Sequence, residues 1–518
     1  MYRLISLLIV LVIVPVVFAQ KDYKKRADNY FKYYNYERAL KDYKRLYRKK
    51  KEDAELLQKI IQCHLKDNGL REQALPYIEK LLEVKPNDAE AYYSKATALF
   101  HGHRFEEALT ALQTYKNSGP GGPDKEKKIA ILTHYIENAK AFIKSPLNVD
   151  FINLGKQVNT SRNELSAFVT SNEQTLFYTS DKRYNSYAGI YYFNVCVSEM
   201  ANHRYQKGKT IGSYVNSIFD EMVAGIDPSG EMLFVFHNRD GEDEMGYAKY
   251  KGRYRFDPLL EFGHPLDQKG GEYGVWMTAG QDTMYYSAES ENGTTDLFYA
   301  MKLPDGNWGY GRPIKGAVNT PYNENFPVLS DDGKYLYFSS DNEHSMGGYD
   351  LYVSEKNTAS GEWGKPVNVG YPINDTYDNF TISWVNGKRH AYVSSIRPEG
   401  HGYRDIYKVV FKDTEPYNSV LKCDIRLKVE RKEVIPDFTP TVTVTDTLHN
   451  LVGNYKVLKD SADCIMVLTP GYYLLKIESD QTEPFEQLLE IPEKWYNGEA
   501  ERIKCIIYPV TDPNEKKP

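Results

Sequence analysis

Two acidic stretches are the parts of this sequence best suited to bind a metal. Residues 240–244 read Asp-Gly-Glu-Asp-Glu and residues 331–333 read Asp-Asp-Gly, and carboxylate oxygens are the ligands that calcium prefers. Neither stretch has the alternating Asp-x-Asp-x-Asp-Gly pattern closed by a distal Glu, whereas Asp and Gly are typical of hairpin turns. The sequence therefore predicts turns at both places, with no metal site and no cofactor.

Histidines could support catalysis if the fold brought them together. Four of them, His237, His344, His390 and His401, lie in segments that read as strands or loops, and none has a recognisable base or metal partner beside it. The sequence contains no Gly-x-Ser-x-Gly nucleophile elbow, no His-Glu-x-x-His helix and no Gly-rich phosphate loop. We therefore predict that the protein is not an enzyme. The alternative is a hydrolase or lyase whose pocket is assembled from several repeated segments.

The N-terminus reads as an export signal. Residues 1–19 contain an apolar stretch that is too short to span a membrane, and the small residues Val17 and Ala19 stand at the −3 and −1 positions of a cleavage site. The sequence predicts that residues 1–19 are a cleaved signal peptide and that the protein is exported.

Five cysteines are spread along the chain, at Cys63, Cys196, Cys423, Cys464 and Cys505. Their spacing contains no Cys-x-x-Cys pair, which argues against structural zinc. An exported chain can form disulfides, and three of the five lie in the last hundred residues, so one bridge could form there. The spacing leaves its connectivity open, and buried free thiols are the other interpretation.

A helical repeat of about 34 residues begins the mature chain. Small alanines recur through it at Ala27, Ala39, Ala74, Ala96 and Ala108. The steps from Ala39 to Ala74 and from Ala74 to Ala108 are 35 and 34 residues, and the other two alanines each stand twelve residues before a repeat position. This pattern resembles three tetratricopeptide repeats. It predicts an all-α solenoid with a capping helix over residues 20–145.

In tetratricopeptide repeats the first helix of each repeat lines a concave groove, so the resemblance implies a set of groove residues. The candidates are Lys24, Asp28, Phe31 and Lys32 in the first repeat, and Tyr93, Thr97, Phe100 and His101 in the third. Lys gives charge-assisted hydrogen bonds and aromatic rings bury apolar side chains, a combination that suits an extended peptide with acidic groups. A solvated face without a partner is the alternative.

The first repeat is also strongly basic. Residues 21–51 hold thirteen Lys and Arg against four Asp and Glu, although the whole chain has a formal net charge of −6. A basic patch of this kind attracts an acidic protein or an anionic membrane surface. The aromatic groove candidates favour a protein partner.

A second repeat, about 50 residues long, fills the middle of the chain. Five strand-like segments align at their second residues, which are Phe177, Phe234, Tyr285, Tyr337 and Tyr392, with steps of 57, 51, 52 and 55. Hairpins that recur at this period are typical of propeller blades. We predict an all-β propeller of five blades over residues 149–411, with six blades as the alternative.

A polar pair recurs between these segments. Asn319 is followed by Glu324, and Asn374 by Asp378. A residue that repeats with the blades is rarely a catalyst, so the pattern predicts hydrogen bonds between blades.

From residue 419 the sequence alternates polar and apolar residues without the blade pattern. The turn Pro470-Gly471-Tyr472 leads into an apolar strand and resembles the hallmark of carboxypeptidase-regulatory-like β-sandwiches. We predict a C-terminal β-sandwich over residues 419–510 and a disordered charged tail over 511–518.

The order of signal peptide, tetratricopeptide repeats, propeller and sandwich resembles the PorE-type periplasmic proteins of the type IX secretion system, and the propeller repeats resemble the TolB-type, WD-like family. The resemblance implies a non-enzymatic scaffold in the periplasm, associated with the outer membrane, that binds envelope or secretion-system proteins and no nucleic acid. The sequence lacks the OmpA-like domain with which PorE-type proteins bind peptidoglycan, so direct peptidoglycan binding is not expected. A soluble glycan- or peptide-binding accessory protein is a further alternative.

Overall fold

A computed structural model describes most of the chain. It covers residues 23–66, 69–185, 190–202, 204–239, 242–263, 274–330, 332–385, 389–413, 419–491 and 501–510. The predicted signal peptide and the predicted C-terminal tail lie outside these residues. The chain divides into two compact units, the first formed by residues up to 384 with 390–411, the second by residues 385–389 with 412–518. None of the helices in the described residues is long and apolar enough to cross a membrane.

The first unit begins with seven α-helices. Asn and Asp start two of them because their side chains accept hydrogen bonds from free N–H groups of the first turn: Asn35 accepts from the N–H of Arg38 at 3.3 Å, and Asp88 from that of Ala91 at 3.1 Å. The helices are α1 (23–32), α2 (Tyr36–Tyr47), α3 (Ala54–Lys66), α4 (Leu75–Val84), α5 (Ala89–His101), α6 (Phe105–Asn117) and α7 (Pro123–Ile143), with a 3-10 helix at Arg71–Ala74.

Small side chains lie where consecutive helices pack. Ala27, Ala39, Ala74, Ala96 and Ala108 are all 0% exposed. Because a methyl group is the only side-chain volume at these points, the helix backbones can approach closely. The predicted helical solenoid and its packing positions are confirmed for the described residues.

The described part of residues 149–411 contains five antiparallel sheets, numbered here in chain order. Within each, most strands pair with the strand next to them in the chain, as expected for hairpins with short turns. Sheet 1 has β2 (Glu164–Val169), β3 (Thr175–Asn185), β4 (Ile190–Ala201), β5 (Arg204–Tyr205) and β6 (Lys209–Thr210); sheet 2 has β7 (Glu221–Ile226), β8 (Met232–Arg239), β9 (Glu242–Lys249) and β10 (Leu260–Glu261); sheet 3 has β11 (Val275–Met277), β12 (Thr283–Glu289), β13 (Thr295–Met301) and β14 (Arg312–Pro313). Sheet 4 has β15 (Glu324–Leu329), β16 (Tyr335–Ser340), β17 (Asp350–Glu355) and β18 (Val367–Asn368); sheet 5 has β19 (Ile382–Trp384), β20 (His390–Ser395), β21 (Asp405–Phe411) and β1 (Val149–Asn153).

The five aligned aromatic positions of the sequence all fall in the second strand of their sheet, in β3, β8, β12, β16 and β20. Each sheet packs against the next through apolar side chains, as Phe177 of sheet 1 does with Leu233 of sheet 2 in one buried cluster. The strand that comes first in the chain, β1, pairs with β21, so that Val149 lies opposite Phe411. The first and last segments of the region are therefore held in one sheet.

At four places an asparagine side chain joins one sheet to its neighbour with the same geometry. Asn216 accepts from the N–H of Val195 at 2.8 Å and donates to its carbonyl oxygen at 2.9 Å. The side-chain amide thus makes the same two bonds that a neighbouring strand would make. The same pair of bonds joins Asn159 to Ile406, Asn319 to Leu297 and Asn374 to Leu351. The predicted hydrogen-bonding role of Asn319 and Asn374 is confirmed.

The prediction of bonds between sheets does not hold for Glu324, the acidic residue five places after Asn319, because it bonds within its own sheet and the loop before it. Glu324 accepts from the backbone N–H of Thr320 at 3.0 Å and from the hydroxyl of Ser340 at 3.1 Å. Burial raises the pKa of Glu324 to about 7, although these hydrogen bonds act in the opposite direction. Glu164 has the same bonds and a pKa raised for the same reason.

Replacing Asn216 by Ala is expected to lower the free energy of unfolding of the first unit by about 2 kcal/mol, because it leaves the buried N–H of Val195 without a partner and removes one of the two donors to its carbonyl oxygen, the other being the N–H of Ile211 at 3.2 Å. Urea unfolding followed by tryptophan fluorescence measures the change. Asn307→Ala is the matched control: Asn307 is exposed and its side-chain amide donates to Asp305 in its own turn, so its effect should stay within about 0.5 kcal/mol. Equal effects of the two substitutions would contradict the assigned role.

The second unit contains two sheets whose strands are mostly antiparallel. One has β22 (Ser419–Val429) at its centre with β23 (Lys432–Val434), β26 (Asp463–Leu468) and β29 (Glu501–Ile507), the last running parallel to β22. The other runs β25 (Leu451–Tyr455), β24 (Thr441–Asp446), β27 (Gly471–Glu478) and β28 (Phe485–Ile491). Alternate residues of both sheets share one core, which includes Ile425, Val444 and Leu475, as a β-sandwich requires.

All five cysteines are buried and none of them forms a disulfide. Three of them, Cys423, Cys464 and Cys505, belong to the core of the second unit. The sulfurs of Cys423 and Cys505 are 3.3 Å apart and unbonded. The disulfide considered from the sequence is therefore not formed, and the buried-thiol interpretation describes the structure.

Candidate functional site

The five sheets converge on a cavity of about 420 Å³, within the range of roughly 300–1,000 Å³ that is typical of ligand pockets. Every sheet contributes to its wall: Ser166 from sheet 1, Met222 from sheet 2, Thr295 from sheet 3, Phe326 from sheet 4 and Ser394 from sheet 5. We call this space the central cavity. Its position at the meeting point of repeated sheets allows one ligand to contact all of them.

Backbone irregularities aim side chains into the central cavity. The register of β2 with β3 shifts between Leu165 and Phe168, and that of β15 with β16 shifts between Asn325 and Val328. Within these bulges Ser166 has φ 47° and Phe326 has φ 51°. Left-handed backbone at a bulky residue carries strain of about 1–3 kcal/mol and persists where the surrounding structure fixes it, commonly at ligand sites.

One side of the cavity is an aromatic wall formed by Phe326, Phe380 and Tyr349. The ring of Phe380 meets Phe326 edge-on at 6.2 Å and Tyr349 at 5.1 Å between centroids. Gly274 backs this wall, because a Cβ there would lie 2.6 Å from the Cα of Phe326. The bulge therefore depends on a glycine in the adjacent sheet.

A buried cation faces the same space. Arg404 lines the cavity and is 5% exposed. Its Nη1 donates to the carbonyl oxygen of Asp378 at 2.7 Å, and among the described residues it forms no ion pair. Burial lowers the pKa of Arg404, although the nearby carboxylates Asp378 and Asp375 favour its charge.

Both of these carboxylates accept hydrogen bonds from other groups. Asp378 accepts from the N–H of Tyr349 at 3.1 Å, and Asp375 accepts from the N–H of Tyr377 at 2.8 Å and the hydroxyl of Ser395 at 3.1 Å. The guanidinium group of Arg404 therefore lies in a mostly apolar cavity and makes one hydrogen bond, to a backbone carbonyl oxygen. A buried charge in that state attracts an anion.

Asn325 is the second polar group with unused capacity. It lines the cavity and is 7% exposed. Its Nδ2 makes one long bond of 3.4 Å to the hydroxyl of Tyr349, while its Oδ1 has no hydrogen-bond partner among the described residues. This oxygen is itself buried, so the amide contributes to the packing of the cavity wall.

The groove residues predicted in the first repeat lie partly on the surface. Lys24 is exposed and bonds to Glu55 at 3.1 Å, Asp28 is exposed and accepts from the hydroxyl of Tyr43 at 2.6 Å, and Lys32 is exposed. Phe31 is half-buried, with the ammonium group of Lys59 4.1 Å from its ring centre. These side chains already have partners within the helices.

In the third repeat, Phe100 and His101 correct the groove prediction. Phe100 is 2% exposed and stacks on Tyr135 of α7. His101 is buried, its ring 4.5 Å from that of Tyr377, a residue of the loop before β19. Burial lowers the pKa of His101 well below its usual value, which keeps it neutral. Neither side chain is available to an external partner.

The reason is that the sheets themselves cover this part of the helical module. Met346, from the loop before β17, is fully buried in the same apolar cluster as Phe100, and the N–H of Arg71 donates to the hydroxyl of Tyr377 at 3.1 Å. The other two candidates of this repeat, Tyr93 and Thr97, are half-buried, and Tyr93 packs at 5.1 Å on Tyr115.

The four histidines considered from the sequence are dispersed. His390 is buried with its Nε2 2.9 Å from Glu173, His237 is buried in β8, and His344 and His401 lie in loops. None of them lines the central cavity in the part of the chain that the structure describes. Sequence reasoning also missed Arg404, Asn325 and Phe326, because none of them belongs to the repeated pattern.

Comparison with known proteins identifies the helical module. The family model described as tetratricopeptide repeat matches residues 63–123. No curated protein sequence matches the chain.

Several solved structures are similar to the sheet region. A glycoside hydrolase has 9% sequence identity and a TM-score of 0.39, covering 54% of this chain and 95% of its own. TolB from Acinetobacter baumannii has 9% identity and a TM-score of 0.33, covering 57% and 72%, and an endo-arabinase from Bacteroides thetaiotaomicron has 11% and 0.34, covering 51% and 99%. At these TM-scores the similarity supplies no argument about activity.

Proposed function

We propose that the protein is a non-enzymatic scaffold in which a tetratricopeptide module and a five-bladed propeller present one binding surface. The five sheets are taken as the five blades. Two features support this count: each sheet packs on the next, and β1 completes sheet 5 by pairing with β21. Tetratricopeptide repeats are protein-interaction modules, which supports a role in assembling other proteins.

The contacts between helices and sheets carry the scaffold proposal. Arg162 of the loop before β2 bonds to Glu37 of α2 and, at 2.8 Å, to Asp181 of β3. Arg38 lies 3.6 Å from the ring centre of Tyr184, and Asn138 of α7 donates to two backbone carbonyls of the loop before β17 at 2.8 Å. Bonds at three separate places restrain hinge motion, as a scaffold with fixed binding surfaces requires.

The lining of the central cavity favours binding over hydrolysis. Glycoside hydrolysis uses a pair of carboxylates about 5–10 Å apart. The lining residues in the described part of the chain include no Asp, Glu or His. Their hydroxyl, amide and guanidinium groups can orient a ligand, which suits a binding site.

We further propose that the protein works in the periplasm at the outer membrane, with envelope or secretion-system proteins as partners. The signal-like residues 1–19 and the order of modules in the sequence support this location. The resemblance to PorE-type proteins supports a secretion assembly of the type IX kind.

Fractionation of cells followed by mass spectrometry tests the location: the protein is expected in the periplasmic or outer-membrane fraction with an N-terminus at Gln20.

Cross-linking in intact cells is expected to yield defined envelope proteins that also bind the purified chain. A purified chain that hydrolyses members of a broad panel of glycans and peptides, and retains none of the cross-linked proteins, would support the hydrolase alternative instead.

A further inference from the structure

Strand β26 of the second unit lies at the edge of its sheet. On its inner side it pairs with β22, and the N–H of Ile425 donates to the carbonyl oxygen of Ala462 at 3.1 Å where this ladder begins. Because hydrogen-bonded positions alternate along an antiparallel ladder, the backbone groups of the even-numbered residues of β26 face β22. The backbone groups of its odd-numbered residues therefore face away from the sheet.

The outward backbone groups are engaged at one end of β26 only. The N–H of Leu458 donates to the carbonyl oxygen of Asp463 at 2.8 Å from the outer side. Beyond this point, the outward N–H and C=O groups of Ile465 and Val467 have no partner among the described residues. The side chains of these two residues are 58% and 50% exposed. The edge thus presents two donors and two acceptors beside exposed apolar surface.

The other edges of this sandwich are protected against pairing with a further strand. β28 exposes Glu486 and Glu490, and β29 exposes Arg502 and Lys504. The register of β25 with β24 shifts at a bulge. Charged side chains and bulges are the features with which proteins prevent strand addition at an edge. β26 has no charged residue after Asp463 and no register shift, so its edge is suited to pair with another strand.

A second copy of β26 matches this edge in both hydrogen bonding and side chains. When two copies pair antiparallel about a two-fold axis at Met466, Ile465 of each copy lies opposite Val467 of the other. Both pairs join outward-facing backbone groups, which gives four hydrogen bonds, and they place apolar side chains next to each other. An axis at Ile465 would put Val467 opposite the charged Asp463, and an axis at Val467 would put Ile465 opposite Thr469.

Two-fold pairing also explains why association stops at two copies. Each copy uses the same edge, so the contact is isologous and leaves no free edge of β26 for a third copy. A strand of another protein would need alternating apolar residues in the same register, and β26 itself supplies them.

We propose that the chain forms a symmetric dimer in which β26 of one copy pairs antiparallel with β26 of a second copy about Met466. The two four-stranded sheets then become one continuous sheet of eight strands. This inference goes beyond the proposed scaffold function and does not depend on it.

Sedimentation velocity of the purified chain between about 2 and about 200 µM measures the association. Two strands of six residues bury less surface than the roughly 1,200–2,000 Å² of a stable complex, so a reversible dimer with a Kd of about 1–100 µM is expected. A chain that stays monomeric over the whole range would overturn the proposal, even if a strand-forming peptide of another protein bound to it.

Two substitutions connect the dimer to this edge. Ile465→Lys places a charge opposite Val467 of the other copy, and Val467→Pro removes an outward N–H that has no partner among the described residues. Each should raise the Kd at least about tenfold and leave the melting temperature close to that of the wild type, because each side chain is exposed. Leu488→Lys is the matched control: Leu488 is 62% exposed on β28, so the Kd should not change.

Engineered cysteines test the register. A mixture of Ile465→Cys and Val467→Cys protein should form disulfides between copies at least about fivefold faster, on oxidation with diamide, than either variant alone, because only the mixture places two sulfurs directly opposite each other. The native cysteines are buried.

Two further results would overturn the proposal. One is a dimer that persists unchanged in both Ile465→Lys and Val467→Pro protein, since its interface would lie elsewhere. The other is an equal rate of disulfide formation in the mixture and in each single variant. Failure of the scaffold function is measured separately, by whether the monomeric Ile465→Lys protein retains the envelope proteins cross-linked in cells.

Discussion

Replacing Glu173 by Gln is expected to lower the free energy of unfolding of the first unit by about 3–5 kcal/mol, because it removes the buried anion of an ionic cluster and leaves the partly buried cation Lys408 without it. Glu173 lies in the β2–β3 turn of sheet 1, and its partners come from sheet 5. Its Oε1 accepts from the hydroxyl of Tyr392 at 2.6 Å and lies 2.9 Å from His390 Nε2 and 3.2 Å from Lys408 Nζ. The cluster therefore joins the first sheet of the chain to the last.

The pH dependence gives a second signature of this cluster. Burial alone would raise the pKa of Glu173, but the adjacent His390 ring, the charge of Lys408 and the Tyr392 hydroxyl together lower it from 4.5 to about 2. A lowered carboxylate pKa contributes stability that is present above about pH 4.5 and is lost as pH falls towards 2. The difference between wild type and Glu173→Gln should accordingly shrink over that interval.

Urea unfolding at pH 7 and at lower pH values measures both effects. The matched control is Glu231→Gln, because Glu231 occupies the turn between the first two strands of sheet 2 and pairs with Lys249 at 3.4 Å, where both side chains are exposed. An exposed pair of this kind contributes about 0–1 kcal/mol. If the two substitutions had the same effect at pH 7, the cluster would not be what closes the ring of sheets.

Replacing Phe100 by Ala is expected to lower the free energy of unfolding of the first unit by about 3–5 kcal/mol, since it opens a cavity in a packed core. The ring contacts Tyr135 of α7 and lies in the cluster that contains Met346 from the sheets. The loss should therefore affect both the helical module and its attachment to the sheets. Urea unfolding gives the change, and limited proteolysis reports whether the helices separate first.

Phe31→Ala is the matched control within the solenoid. Phe31 is half-buried on the first repeat, where it contacts Lys59 and Tyr36, so its truncation should lower stability by about 1 kcal/mol. From the sequence, both Phe31 and Phe100 were predicted to contact a partner in the groove. The groove interpretation would be supported if Phe100→Ala protein unfolded like the wild type and yet failed to retain the cross-linked partners.

Repetition in the sequence was sufficient to predict the local architecture. The alanine spacing predicted where helices pack, and the five aligned aromatic residues predicted the second strand of each sheet. The repeated asparagine of the Asn-x-x-x-x-Glu elements predicted bonds between neighbouring sheets because each copy meets the same surroundings, whereas the Glu bonds within its own sheet. Contacts that recur once per repeat leave a periodic signal, and periodicity can be read without coordinates.

The candidate site left no such signal. Arg404 and Asn325 each occur at one point of one repeat, and their meaning depends on which other repeats they face. Their burial, the missing ion pair of Arg404 and the left-handed φ of Phe326 are properties of the packed ring, where residues of five sheets converge.

What the sequence determined by itself was therefore the identity and order of the repeats, and what only the tertiary structure decided was how they meet. Arg71 and Tyr377 bond although they are 306 residues apart in the chain, and this docking turned Phe100 and His101 from predicted groove residues into buried ones. The physical reason is that such a contact is made once, between two surfaces whose shapes exist only after each module has folded. No spacing along the chain encodes it.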